Sequence, residues 1–421
     1  MWRLALSGVL FAVSTSGQAN EYPLRNPYLL DSENNQGHWN DAATDSTRWP
    51  ITLGHYRVDD LTSLELKPND GLGIPFYSRR YPKGEDVSWF FTGYRLQRTL
   101  GFAGRSVTVD DIPLVDPPQG YKSVSPADRI AQGKAIQALL QEGNEEGLSA
   151  FLRSTPNRLA TAVEDQVRGG ILYSMVDAGG AFIGTSARGI LRVPLQRPDD
   201  PRSPFSAPIR MQFPAEVFDD QRVARGTIFP RDVVFGLGMT FNGYIVVSTL
   251  GGRVITLDRE TLELRSHMQL SSFDEVITNS FATSEEANGG AVYVASNIAM
   301  YRLVVLADGR ISASPTDGAW RAAYDRGVRL KRGKIADGTG ATPTLMGFGA
   351  NEDQLVVITD GASKMKLLAF WRNEPPKRPD GSPGDRLANV IPVDFGYPSE
   401  IIQSEQSVAV FGPYAFVINN I

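Results

Sequence analysis

Residues Phe241–Leu264 read FNGYIVVSTLGGRVITLDRETLEL, and this stretch decides the fold. Tyr244–Thr249 (YIVVST) is rich in β-branched residues and follows the turn pair Asn242–Gly243, the composition of a buried strand. Gly251–Gly252 supplies residues free to take positive φ. Arg253–Asp258 (RVITLD) then returns with apolar Val254, Ile255 and Leu257, so the two runs predict a tight hairpin. Asp258–Thr261 closes it as a polar turn. A lone hairpin is marginal in water, so this one predicts copies of itself.

Copies are present in pattern. Ala291–Ser296 is followed by Met300–Leu306, Gln354–Thr359 by Met365–Trp371, and Ala181–Thr185 by Gly189–Val193. Aligned on Phe182, Ile245, Val292, Val356 and Phe416, the units recur every roughly 50 to 65 residues, the range of radial β repeats. The expected fold is therefore mainly β, a β-propeller of roughly six to eight blades if complete, with a small helical insertion. Tyr414–Ile418 reads as the second strand of a last blade, and the sequence ends at Ile421. That predicts an unfinished blade, closed by an N-terminal strand from Ile74–Val109 or belonging to a longer protein of which this chain is a fragment.

The chain opens with a basic start at Met1–Arg3, an apolar run from Leu4 to Val13, and small residues at Gly17 and Ala19. This is the pattern of a signal peptide cut after Ala19, and the run is too short to span a bilayer. A periplasmic or secreted protein with no membrane span after cleavage is expected. A formal net charge of −5 gives no electrostatic reason to expect nucleic acid as a partner. Zero cysteines rule out disulfides, thiolate catalysis and cysteine-ligated metal. The expected division is 1–19 signal peptide, 20–123 polar segment with covering strands or a first blade, 124–168 helical insertion, and 169–421 blades. In the insertion, Ile130, Ile136, Leu139, Leu140, Leu148, Phe151, Leu152, Leu159, Ala162 and Val163 fall at helical spacing. Ser125–Pro126 and Thr155–Pro156 stand as helix starts. The proline-rich stretches Arg197–Pro204 and Pro375–Pro383 are expected on the surface between blades.

The chemistry-bearing pattern precedes the second strand of each unit. Polar groups interrupt apolar runs at Asp232 (FPRDVVF), Asn279 (VITNSFA), Thr342 and Thr344 (GATPTLM), and Glu405 and Gln406 (QSEQSVAV). First strands of propeller blades line the central channel, so these positions are expected to converge there. Asp232, Asn279 and Glu405 offer oxygens to a hard cation such as calcium, with Asp232 and Glu405 as catalytic carboxylates and Thr342, Thr344 and Gln406 lining the channel. The same groups can equally hydrate the channel and satisfy backbone. His38 with Asp41 and Asp45 forms a second metal candidate beside an ordinary turn reading. His38, His55 and His267 lie off the inner strands and G-x-S-x-G is absent, so nucleophilic catalysis has little support.

From about Gly169 onward the chain resembles secreted bacterial β-propellers of the pyrroloquinoline-quinone-like or lactonase-like repeat group, with GGRVITLDRETLEL nearest their blade signature. ITNSFATSEEANGGAVYVASNIAMYR and GTGATPTLMGFG are similar to stretches in that group. Quinone-binding members carry tryptophans at blade spacing and many have a vicinal cysteine pair. Trp320 and Trp371 do not recur that way and cysteine is absent, which argues against a quinone. Calcium-dependent lactonase-like members place Glu, Asn and Asp in the channel, which Glu405, Asn279 and Asp232 resemble by type. Two functions are therefore open: a lactone or ester hydrolase assisted by calcium, acting on a small molecule in or over the channel, and a non-catalytic propeller binding a ligand or a protein partner.

Overall fold

The computed structural model describes residues 23–32, 76–91, 94–101, 107–116, 126–154, 171–270, 273–330, 334–349, 351–396 and 400–418. The expected signal segment, the metal candidate His38, Asp41 and Asp45, His55 and the third expected helix around Leu159–Val163 lie outside them. The described chain has the fold of a β-propeller with a small helical insertion: its sheets are antiparallel and, β17 apart, join strands that follow one another in sequence. Strands β1 (Phe76–Arg80), β2 (Asp86–Phe91), β3 (Arg95–Leu100) and β4 (Val107–Pro113) form one sheet. Strands β5 (Ser174–Val176), β6 (Phe182–Ser186), β7 (Gly189–Val193) and β8 (Ile209–Gln212) form the next. Then come β9 (Val234–Met239), β10 (Tyr244–Thr249), β11 (Arg253–Asp258) and β12 (Leu264–Gln269). They are followed by β13 (Phe281–Ser284), β14 (Ala291–Ala295), β15 (Ala299–Val305) and β16 (Ile311–Ser312), where β17 (Trp320–Ala323) also pairs with β15. Strands β18 (Thr344–Met346), β19 (Leu355–Thr359), β20 (Lys366–Trp371) and β21 (Leu387–Pro392) make a further sheet, and β22 (Ala409–Phe411) with β23 (Tyr414–Phe416) a hairpin.

The hairpin expected from Phe241–Leu264 is β10–β11, in the register Tyr244↔Asp258 to Ser248↔Val254, with Gly252 at φ +81°. The insertion is α1 (Pro126–Gln141) and α2 (Glu145–Ser154). Among the described residues a further helix, α3 (Asp220–Gly226), lies outside the insertion; it is capped by Asp219, whose side chain accepts from Arg222 N at 2.9 Å. The two proline-rich stretches do not run between sheets. They join β7 to β8 and β20 to β21, third strand to fourth within a sheet, because proline punctuates a ladder without saying which connection it punctuates.

The described residues divide into two compact units. The N-terminal unit holds Leu30–Ser32 and the elements from Phe76 to Phe213, with a core that includes Trp89, Phe91, Leu96, Phe182 and Val193. Within it Arg98 is fully buried, with its guanidinium 5.1 Å from the Trp89 ring centroid; it donates to Ser203 O at 2.5 Å and Tyr81 Oη at 2.7 Å. That guanidinium holds the proline-rich β7–β8 loop in place through loop carbonyls.

The C-terminal unit holds Pro214 onward with the segment ending at Leu29. Its inner strand β9 reads VFGLGM and is buried throughout. A Cβ at Gly238 would come within 2.7 Å of the Phe281 ring, and one at Gly236 within 3.1 Å, so the two glycines make the bed for that ring. Phe281 on β13 fills it, fully buried beside Val246, Val292 and Val294. Phe281→Ala is expected to lower the unfolding free energy by about 3–5 kcal/mol in urea denaturation, and Phe281→Leu by less. Equal, small effects of both changes would show that the ring does not bridge the two sheets.

Candidate functional site

The polar positions preceding each unit's second strand are built into two different arrangements. Asp232 stands two residues before β9 and reaches the β10–β11 turn. Its Oδ1 accepts Gly251 N at 2.8 Å, and its Oδ2 accepts Asp219 N at 2.8 Å and Thr249 Oγ1 at 3.1 Å. A Cβ at Gly251 would collide with this carboxylate, which gives the first glycine of the Gly251–Gly252 pair a second reason to be there. Burial raises the Asp232 pKa to about 6, against the lowering effect of the Asp219 and Gly251 N–H groups and the Thr249 hydroxyl. The next sheet repeats the device with Glu275, whose Oε1 accepts Ser296 Oγ at 2.5 Å and Tyr301 Oη at 2.6 Å.

Asn279, Thr342 and Glu405 are brought together around Gly340. Asn279 Nδ2 donates to Gly340 O, and Asn279 Oδ1 accepts Thr342 Oγ1 at 2.8 Å and Ser280 N at 2.9 Å. The Glu405 stem packs where a Gly340 side chain would be, while its Oε1 accepts Ile335 N at 2.7 Å. Burial pushes the Glu405 carboxyl up, and burial pushes the neighbouring Lys334 ammonium down; Lys334 Nζ donates to Gly338 O at 2.7 Å. Thr342 N donates to Ser407 Oγ at 3.0 Å, and Thr344 Oγ1 donates to Val408 O at 2.5 Å. Gln406 is exposed, its N–H directed to Ser404 Oγ at 3.1 Å.

These residues do not fit a calcium ion. A hard cation needs carboxylate oxygens turned toward a common centre. The oxygens of Asp232 face backbone N–H groups and a hydroxyl at a hairpin, and Asn279 is engaged at both ends of its amide. Among the described residues no three His, Asp or Glu side chains gather as a metal would require.

A different cluster of charged side chains lies in the C-terminal unit. A cavity of about 290 Å³ is lined by Arg225 at the end of α3, Asp274 before β13, and Arg326, Arg329 and Asp337 in the connection between β17 and β18. Arg326 is a strut: it reaches Asp274 Oδ2 at 2.7 Å and Asp337 Oδ2 at 3.1 Å. Asp337 Oδ1 also accepts Arg329 N at 2.8 Å. Arg225 lies 3.8 Å from the Phe273 ring centroid, and among the described residues neither it nor Arg329 forms an ion pair. Both carboxylates lining the cavity are thus held by one arginine; Arg329 Nη1 donates to Lys334 O at 3.3 Å, a neutral carbonyl that leaves its charge and its other N–H groups unpaired with any carboxylate among the described residues. The available signal was the basic run DRGVRLKRGK at Asp325–Lys334 in a chain of net negative charge.

No family model matches the chain. A protein of Archaeoglobus fulgidus described as uncharacterized is 36% identical over 191 residues, 44% of this chain, and the match spans only 35% of that protein's length. Among solved structures, a protein from Lactobacillus plantarum is similar at 9% identity and a TM-score of 0.35, covering 77% of this chain and 73% of that one. The Dos1 propeller is similar at 12% identity and a TM-score of 0.34, covering 53% and 51%. The Cps50 (Swd1) β-propeller domain of Myceliophteria thermophila is similar at 11% identity and a TM-score of 0.33, covering 82% and 89%.

The raised Asp232 pKa has a definite sign. The native state holds this proton up to about pH 6, whereas an unfolded aspartate releases it near 4. The stability it contributes is therefore full below about pH 4 and is lost as pH rises through about 6, a change of up to about 3 kcal/mol. Unfolding free energies of wild type and Asp232→Asn, measured across this range, should diverge in slope between pH 4 and pH 6. Parallel curves would contradict the assignment.

Proposed function

We propose that the C-terminal unit is a non-catalytic binding module that takes an anionic group, a carboxylate or a phosphate, in the arginine-lined cavity. The observation that carries this reading is the pairing pattern: Arg326 takes both cavity carboxylates, and Arg225 and Arg329 line the same space with no ion pair among the described residues. Guanidinium groups match planar oxyanions and stay charged at every accessible pH. A volume of about 290 Å³ suits a small ligand or a single side chain.

Against a hydrolase stands the engagement of the two carboxylates nominated for it. A general acid or base must present an oxygen to its substrate. The Asp232 oxygens are taken up by Asp219, Thr249 and Gly251, and Glu405 accepts from Ile335 N beside the buried Lys334. Their raised pKa values have a structural origin in burial.

Ligand-linked thermal stability tests the reading. At low ionic strength, succinate or phosphate should raise the melting temperature of the wild type, because a ligand that binds only the native state stabilises it by mass action. Arg329→Gln should remove most of that shift, and calcium in place of the anion should give none. A calcium-dependent rise without an anion-dependent one would overturn the proposal in favour of metal-assisted chemistry.

A further inference from the structure

The cavity has an apolar rim. Phe273 is 67% exposed beneath the Arg225 guanidinium, and Val328, at 59%, and Leu330, at 44%, flank Arg329 on either side. Ile228, 49% exposed, follows the cavity residue Thr227, and its N–H donates to the cavity residue Ile335 O at 3.0 Å. Single exposed apolar residues are ordinary on a protein surface; several set around one charged cavity mark an interaction site.

The rim is also held in shape. Gln403 is fully buried, and its amide accepts Leu330 N at 3.1 Å and donates to Val328 O at 2.9 Å and Gly361 O at 3.0 Å. The bridge Thr227↔Ala336 fixes the Ile228 side. A surface ordered before binding loses less conformational entropy when a partner arrives. Arginine and aromatic side chains around a central pocket are the composition in which interface energy concentrates.

Resting on the anion-binding reading above, we propose that this face docks an extended acidic–aliphatic segment of a partner protein. One Asp or Glu side chain enters the cavity toward Arg225 and Arg329, and flanking aliphatic side chains cover Phe273, Val328 and Leu330. Charge selects this partner over a polyanion. Within the cavity lining Arg326 takes both aspartates, so the positive charge left to the cavity itself is small, while the whole chain carries −5. Nucleic acids and anionic membranes are held by many phosphate contacts at once, which this balance opposes. An isolated carboxylate between apolar neighbours matches both the charge and the rim.

The test uses the full chain and a short fluorescein-labelled peptide of alternating Leu and Glu, followed by fluorescence anisotropy at low and moderate salt. It should bind, and peptides of alternating Leu and Lys or Ser and Glu should bind at least about tenfold more weakly. Arg225→Gln with Arg329→Gln should weaken both this peptide and succinate. Val328→Ser with Leu330→Ser, both at exposed positions, should weaken the peptide about tenfold and leave the succinate-induced melting shift in place. A normal succinate response with equal affinity for the Leu/Glu and Ser/Glu peptides overturns the docking proposal and leaves the anion site standing. Loss of both responses in the wild type overturns both. Preferential binding to anionic vesicles or single-stranded DNA, or self-association abolished by the Val328 and Leu330 changes, also overturns the docking proposal, by assigning the face to another occupant.

Discussion

A sheet buried on both faces meets a difficulty at its innermost strand, whose outer row of N–H and C=O groups has no further strand to pair with and no access to bulk water. In the C-terminal unit short polar side chains of the neighbouring sheet meet that need. Ser280 Oγ both accepts Leu237 N at 3.2 Å and donates to Leu237 O at 3.1 Å, and Thr283 Oγ1 donates to Met239 O at 2.9 Å, fastening β13 to β9. Asn279 and Thr342 fasten the approach to β13 to the approach to β18, and Thr344 fastens β18 to the segment leading into β22. In the N-terminal unit Tyr77 Oη of β1 donates to Ser174 O of β5 at 2.5 Å, the same solution with a longer side chain. Unmade, each such bond would leave a buried polar group costing about 1–3 kcal/mol. The polar inner positions are thereby committed to architecture.

The acidic residues serve a related end. Asp232 and Glu275 leave the approach to an inner strand and tie down the middle hairpin of the same sheet, so the inner strand and the turn beside it are fixed as one piece. Their burial is tolerated because several donors converge on each carboxylate. The consequence for function is spatial. With the inner groups engaged, the anion site proposed above falls to the connections between sheets, and Arg225, Asp274, Arg326 and Arg329 all belong to such connections or to the short helix within one.

Much of the fold was legible because it is written locally. β7 occupies the span read from the sequence, Gly189–Val193, and β10 and β11 match their runs residue for residue, since β-branched content and a Gly–Gly turn are sufficient signals. Asn279 and Thr342, which share an offset before their strands, hydrogen-bond to each other at 2.8 Å. Their role was not legible, because the partners that consume them, Gly340 O, Ser407 Oγ and Val408 O, are backbone or small groups with no distinctive sequence signal. Asp232 shares the offset yet turns to the hairpin, a choice made by the close approach that Gly251 permits. The arginine cavity was illegible for another reason: its residues come from three segments far apart in the chain, one of them the end of α3, and only the basic run near Arg329 hinted at it.

The central claim, that the inner polar residues staple strands together, is tested most directly by a double-mutant cycle on Asn279→Ala and Thr342→Val. Unfolding free energies from urea denaturation, taken with calcium and with chelator, give the coupling between the two side chains. The account predicts a coupling of about 1 kcal/mol that is the same in both conditions. Additive effects, or a coupling that appears only with calcium, would contradict it.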